Sequence, residues 1–348
     1  MPRALRILAL LLALFAVAAG AAFGLWRHLD NEMDRPAPSA DAVRIQVMPG
    51  ESLRLILSRL QQQGAVRNAR EVEWYLRLHR LRPRAQAGNY EVAPHSSARA
   101  VLEQFQSGRV VLEQLTIVEG WTFLQLRHAL DGDASLVHAT RGVTDSALMS
   151  TLGHEAQAPE GRFFPDTYRF AAGTSDRRIL ELAYERMQAA LAAAWETRAP
   201  GLPLASADEA LILASVVEKE TGREDERPKV AAVFVNRLRR GMRLQSDPTV
   251  IYGLGERYDG SIHTRDLETD TPYNSYTRAG LPPTPIAMPG IASLQATLHP
   301  AEIDALYFVA TGTGDGGHQF SSNLAEHDLA LRAYLKRIGA HEHKAAPP

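Results

Sequence analysis

Residues 206–222 read SADEALILASVVEKETG, and this stretch decides how the second half of the chain is built. Ser206 followed by Glu209 is the S-x-x-E pattern of a capping box, which satisfies the first free N–H groups of a helix. From Ala210 to Val217 every residue except Ser215 is apolar, so the predicted helix is apolar on all sides. Such a helix belongs in the interior of a domain. It stops abruptly at Glu218, Lys219, Glu220, Thr221 and Gly222, and glycine is a natural terminator. Carboxylates therefore stand at the C-terminal end of a buried helix. There the helix dipole disfavours negative charge, and apolar neighbours disfavour ionisation. Both effects raise a carboxyl pKa, as a general acid working near neutral pH requires. Glu218 and Glu220 are two positions apart and point in different directions. Pattern alone leaves two readings: one carboxylate is a catalytic acid, or both solvate a helix end beside Lys219 and Arg223.

Downstream, Pro228 opens another helix. Its core face is Val230, Val233, Phe234 and Leu238, and Gly241 ends it. The arginines at 237, 239, 240 and 243 read as a solvated face and its end. Loops follow: GMRLQSDPTVIYGLG at 241–255, YNSY at 273–276, GLPPTPI at 280–286, Pro289-Gly290, His299-Pro300 and GGHQF at 316–320. They are dense in amides, hydroxyls and aromatic rings, a lining suited to sugars. His318 and His327 have no metal-ligand spacing and read as structural histidines. No regular βαβ alternation appears after Glu119, so the fold class is α+β.

Upstream lies a smaller module. Val43–Val47 alternates as a half-buried strand, and Pro49-Gly50 turns the chain. Ser52 caps a helix with Leu53, Ile56, Leu57 and Leu60 on one face, stopped by Gly64. Asn68 and Glu71 open a second helix. Tyr90–Val92 reads as a strand, Ser97–Gly108 as a helix, and Leu115 with Ile117 as a closing strand. The order βααβ is compatible with a LysM-like fold.

The N-terminal run ILALLLALFAVAAGAAFGLW, residues 7–26, carries no charge and is long enough to span a bilayer. Arg3 and Arg6 precede it, while Asp30, Glu32 and Asp34 follow, which places the N-terminus in the cytoplasm. The competing reading is a cleaved signal peptide with small residues at 18–22. Residues 31–42, rich in Pro and acids, read as a linker. The 348 residues suffice for about two domains. A net charge of −2 gives no electrostatic reason to expect nucleic acid, and zero cysteines exclude disulfides, thiolate nucleophiles and thiolate metal sites.

The run VEKET, ER and VAAVFVNRLRRGMRLQSDPTVIYG, with YNSY and GLPPTPI behind it, resembles the YceG-like endolytic murein transglycosylases. EGRFFPDTY at 160–168 resembles a further motif of that family; Arg162, Ser275 and Thr284 depart from its usual residues. The resemblance runs from the apolar span to about Ile338. It implies residues 1–6 cytoplasmic, a transmembrane helix at 7–26, a linker at 27–42, a LysM-like domain at 43–117, a catalytic domain at 118–338 and a flexible tail at 339–348, whose His341 and His343 are tail residues. It implies Glu218 as the catalytic acid and then base, with no metal or cofactor. Gln245, Asp247, Tyr273, Asn274 and Tyr276 are the candidates for holding the glycan, while Glu160 and Asp166 would brace the cleft. The expected partners are peptidoglycan strands, an inner membrane spanned once and peptidoglycan synthases such as penicillin-binding proteins. Two other readings stand beside it. A hydrolytic muramidase would need a second carboxylate near Glu218, such as Glu220 or Asp247. A non-catalytic glycan-binding adaptor would need none.

Overall fold

The computed structural model describes residues 3–48 and 50–345. Residues 1 and 2 of the expected cytoplasmic segment, and Pro49 of the expected turn, lie outside the described residues. In chain order the elements are α1 (Arg3–Asp34), β1 (Val43–Val47), α2 (Leu53–Gln62), α3 (Ala69–Leu78), β2 (Gly88–Val92), α4 (Ala98–Ser107) and β3 (Leu112–Thr116). Then come α5 (Phe123–Gly132), α6 (Asp145–Thr151), β4 (Thr167–Ala171), α7 (Asp176–Glu196), α8 (Ala207–Glu220), α9 (Arg227–Arg239), α10 (Asp247–Leu254) and α11 (Thr264–Glu268). The chain closes with α12 (Ile291–Leu298), β5 (Tyr307–Ala310), β6 (His318–Ser321) and α13 (Leu324–Ala345). The backbone of 339–345 thus continues α13, where a flexible tail was expected, and 346–348 lie outside the described residues. The fold is mixed α+β, and the chain forms two compact units.

The first unit runs from the N-terminus to Gln114 and takes in residues 135–137 and 169–174. Its β1–β2 pair is antiparallel, with Ile45 opposite Tyr90, and α2 and α3 lie between the two strands in sequence. This is the βααβ order of a LysM-like module. Local signals explain its helices. Ser52, Asn68 and Ser97 are N-caps with side-chain bonds to the first turn, and Gly108 ends α4 in the left-handed region. The strand expected to close the module instead pairs elsewhere: β3 joins β4.

Residues 31–34, read as part of a linker, are helical. α1 continues through the apolar run to Asp34, and Leu29 and Met33 are buried in the core of the first unit. These two residues are four apart on one face, so the helix end packs as an amphipathic stripe against α3 and α4. Arg99 of α4 fastens it, donating to Asp30, Asp34 and the Tyr75 hydroxyl. Upstream, an 18-residue stretch of α1 has a mean hydropathy of 2.5 and the helix is exposed from Ile7 to Trp26, so it is long and apolar enough to cross a membrane.

The second unit is built around α8. Leu213, Val216 and Val217 pack in one cluster with Val230 and Phe234 of α9 and Leu298 of α12. Leu211 and Ala214 face the other way, onto Met187 and Leu191 of α7 and Leu294 of α12. A helix covered on both sides must be apolar all round, which is the pattern seen in its sequence. Ser206 accepts from the Glu209 N–H at 3.2 Å, whereas the Glu209 carboxylate takes the N–H of Ala205 instead of that of Ser206. The start of α8 is capped by half of the expected box and by one reach-back bond beside it.

Candidate active site

The core clusters hold α8 so that its last turn emerges among loops, and there its two acids part company. Glu218 Oε2 accepts the Gly290 N–H at 3.0 Å and the Ser293 hydroxyl at 2.7 Å. Both donors belong to the first turn of α12, whose positive dipole end suits a carboxylate. Glu220 accepts from the Ser246 hydroxyl at the start of α10. Two residues of sequence thus send the carboxylates to different helices, as the helical spacing requires.

The loop before α5 completes the surroundings of Glu218. Gly120 N–H donates to Met288 O at 2.9 Å, and Met288 N–H donates to Trp121 O at 2.7 Å, so this loop is laced to the segment leading into α12. Lys219 Nζ donates to Gly120 O at 3.2 Å. Gly120 lies so near Glu218 that a methyl group at its Cα would stand 3.8 Å from Glu218 Cγ. A methyl group on Gly290 would fall 1.9 Å from Glu119 Oε1, so the Glu119 carboxylate fills the space that glycine leaves. No sequence pattern singles out Glu119. The path through Gly290, with ~2.5 Å between N and Cβ of one residue, keeps Glu119 Oε1 and Glu218 Oε2 within about 7.4 Å of each other. Burial raises the Glu119 pKa above the ordinary carboxylate value, and the charges of Glu218 and Glu224 add to the rise, against Arg227.

The residues expected to hold glycan fall into two neighbourhoods. Gln245 and Asp247 are exposed, and Asp247 accepts from the Tyr276 hydroxyl at 2.6 Å. Gln245 has φ 51°, a left-handed conformation uncommon for a residue with a side chain. Glu220 sits beside this group. Its pKa is pushed up to about 7, chiefly by burial and further by Asp247, against the Ser246 bond and Arg237. Tyr273 turns away, its hydroxyl 2.9 Å from Thr284 Oγ1 and its ring edge-on to Tyr252 at 4.8 Å. With Phe123, Arg127 and Glu160 these residues line a cavity of about 280 Å³. Asn274 is buried; it donates to the carbonyls of Asp266, Leu267 and Thr269 and accepts from Tyr276 N–H, so its amide shapes the loop.

Glu160 braces the start of α5. Its carboxylate accepts the Phe123 N–H at 2.9 and 3.1 Å and the Tyr252 hydroxyl at 3.1 Å. Burial outweighs these bonds and raises its pKa to about 7. Asp166 pairs with Arg186 at the surface. Arg162 reaches Asp208 in the first turn of α8 at 2.5 Å. Ser275 is buried and accepts the Ser246 N–H at 2.9 Å. His318 lies 2.7 Å from Glu226, a structural pairing, and His327 stacks on Tyr307. Arg237 is no solvated residue: it is buried and donates to Leu306 O at 2.7 Å and Leu244 O at 2.6 Å. Away from this site, the ligand atoms of His28, Glu32 and Glu71 lie within 4.8 Å of one another, but Glu32 pairs with Arg35 and Glu71 with Asn68.

Fold and site define a class: an α+β chain with one apolar N-terminal helix and a carboxylate at the end of a buried helix, held by the start of a second. The family model described as YceG-like matches residues 45–333, and the chain belongs to the YceG-like family. Among curated relatives it is 29% identical to an endolytic murein transglycosylase of Bacillus subtilis, over 85% of this chain and 86% of that one. It is 27% identical to the endolytic murein transglycosylase of Streptococcus pneumoniae, covering 94% of this chain but 65% of that protein's length. The crystal structure of a YceG-like protein from Listeria monocytogenes superposes with a TM-score of 0.54 at 28% identity, over 84% of this chain and 99% of that one.

Proposed function

We propose that this protein is a membrane-anchored lytic transglycosylase. It would cleave the β-1,4 bond between N-acetylmuramic acid and N-acetylglucosamine in nascent peptidoglycan, with Glu218 as acid and then base. The relatives' activity and the family support a lyase acting on peptidoglycan. One observation carries the finer reading. Both donors to Glu218 converge on Oε2, which holds the carboxyl group in one orientation and leaves Oε1 to meet the substrate.

In this reading Glu218 Oε1–H protonates the glycosidic oxygen as the C1–O bond breaks. The neighbouring N-acetyl oxygen stabilises the cation that develops at C1, as in substrate-assisted glycosidases. The Glu218 carboxylate, steadied by Gly290 N–H and Ser293 hydroxyl, then removes the proton of the muramic C6 hydroxyl. O6 closes onto C1 and leaves a 1,6-anhydromuramic end, and Glu218 is protonated again. Gln245, Asp247, Tyr273 and Tyr276 would hold the sugars, with Asn274 setting the loop that carries two of them. The basic residues before the apolar helix support a cytoplasmic N-terminus, with the LysM-like module and the second unit on the other side of the membrane. Close association with peptidoglycan synthases would follow from that placement.

Glu119 favours a second reading. A carboxylate no farther than about 7.4 Å from the acid is close enough to serve as the partner carboxylate by which glycosidases activate water or attack the sugar. Mass spectra of the products from purified peptidoglycan decide between them: anhydro ends mark transglycosylation, reducing ends hydrolysis. The Glu218→Gln protein keeps the shape of the site and loses the acid, with an expected fall of about 10²–10⁴ in rate. Cleavage at the wild-type rate by that variant would overturn the assignment.

A further inference from the structure

A cavity of about 680 Å³ opens between α7, α12 and the start of α9. Its floor is made by small residues of α7 and α12, among them Ala190, Ala194 and Ala296, which leave room for an extended chain. Ile291 and Ala292 also line it, and the residues on either side of that pair, Gly290 and Ser293, hold Glu218. Along the chain, the lining therefore adjoins the residues that hold Glu218.

Arg227 lines the same cavity. It is 8% exposed, its Nε has no hydrogen-bond partner, and among the described residues no carboxylate comes within ion-pair distance of it. It also begins α9, where the helix dipole opposes a positive charge. Burying an unpaired cation is unfavourable, and the sequence nevertheless keeps one at a cavity wall. The through-space attraction of Glu119 offsets part of this. An incoming carboxylate would complete it, since the guanidinium fork matches a carboxylate with two parallel bonds. Exposed Glu224 on the rim of the same cavity suits an amine.

We propose that this cavity binds the peptide arm of the glycan, with Arg227 taking one of its carboxylates and Glu224 facing its amine. The proposal rests on the transglycosylase reading and deepens it. The muramic residue at the scissile bond carries, on its lactyl ether, a peptide with several carboxylates and usually one side-chain amine. The volume lies within the usual 300–1,000 Å³ of a ligand pocket. Peptide-bearing strands are then preferred over stripped strands, and the arm fixes which sugar sits over Glu218.

The test uses the full-length protein in detergent with two substrates: uncrosslinked peptide-bearing strands, and the same strands freed of peptide by an amidase. The ratio of kcat/KM on the first to that on the second is expected to be about tenfold or more, the scale of one charge-assisted bond. Arg227→Gln and Ala193→Glu, the latter putting a negative charge at an exposed position of the cavity wall, should each collapse that ratio toward one. Arg227→Lys should restore part of it. A wild-type ratio near one, or variants that slow both substrates in proportion, overturns the proposal. Binding is read separately, by calorimetry on the Glu218→Gln protein with a disaccharide-peptide and with the bare disaccharide. Equal affinity for the two overturns the peptide cavity even if cleavage is sound. Tighter binding of the disaccharide-peptide without anhydro products in the wild type keeps the cavity and overturns the transglycosylase reading.

Discussion

At the scale of the residue, the site turns on how Glu218 is held. Ser293 donates to Oε2 at 2.7 Å, and Ser293→Ala removes that donor without adding bulk. A hydrogen bond to a charged group contributes about 1.5–3 kcal/mol, so kcat should fall about 10- to 100-fold with KM little changed. Steady-state kinetics on defined glycan strands would show it; a rise in KM alone would mean that Ser293 holds substrate instead. Gly290→Ala puts a methyl group where Glu119 Oε1 lies, so the Glu119 carboxylate must leave. Activity should drop sharply, and the same change in a Glu119→Ala background should cost much less. That non-additivity, measured as a double-mutant cycle, is the mark of two groups sharing one space. Glu218, the proposed acid, stands out in the sequence because an apolar run breaks at an acid and the motif around it is recognisable. Its partners do not. Gly290 and Ser293 are more than 70 positions further along, and Glu119 is about 100 positions earlier. Only packing brings them together.

At the scale of the element, buried carboxyls couple the helix starts to pH. Glu160 sits at the first N–H of α5 with a pKa of about 7 against an ordinary value of 4.5. Below pH 4.5 folded and unfolded chains both keep the proton, and its contribution to stability is full. Between about pH 4.5 and 7 the unfolded carboxyl gives up its proton while the folded one retains it, so stability falls as pH rises, by at most on the order of 3 kcal/mol. Glu220, with the same raised value, acts in the same direction and window. The thermal midpoint followed by tryptophan fluorescence should therefore drop from pH 5 to pH 8. Glu160→Gln should remove part of the drop; an unchanged slope would show that the carboxyl is already ionised in the fold. Elements capped by local signals were readable one by one: Ser52, Asn68, Ser97 and Ser206 each begin the helix their spacing announces. Arg237 was misread because four arginines near a helix end look solvated. The carbonyls of Leu244 and Leu306 that bury it come from loops whose course no local pattern reveals.

At the scale of the whole molecule, the apolar helix and the first unit are one piece. Leu29 and Met33 contribute to the same core as Ile56, Leu60 and Phe105, so the end of α1 is structural to the LysM-like module. A chain starting at Arg27 keeps both residues and should retain that unit. One starting at Pro36 loses both and the Asp30 and Asp34 ends of the Arg99 pairs. Removing two buried large side chains costs several kcal/mol, about 2–5 each, so its melting point should be clearly lower. Differential scanning calorimetry of the two chains would decide; equal midpoints would make α1 a mere leash. The apolar run and its length are legible in the sequence, whereas the acids and prolines beyond it have the composition of a linker. The prolines do end the helix. Asp30 and Asp34 face Arg99, Glu32 pairs with Arg35, and the two apolar residues among them lie four apart, too few to outweigh the composition.

An unbroken helix also behaves as a gauge. From Trp26 to Leu29, the first residue buried in the module's core, there are three steps, about 4.5 Å of rise, so the stand-off of the LysM-like module from the lipid headgroups is set by residue count. One residue inserted between Arg27 and Leu29 would lift the module by ~1.5 Å and swing its azimuth by about 100°. Height and heading above the bilayer are thus written into the register of a single helix.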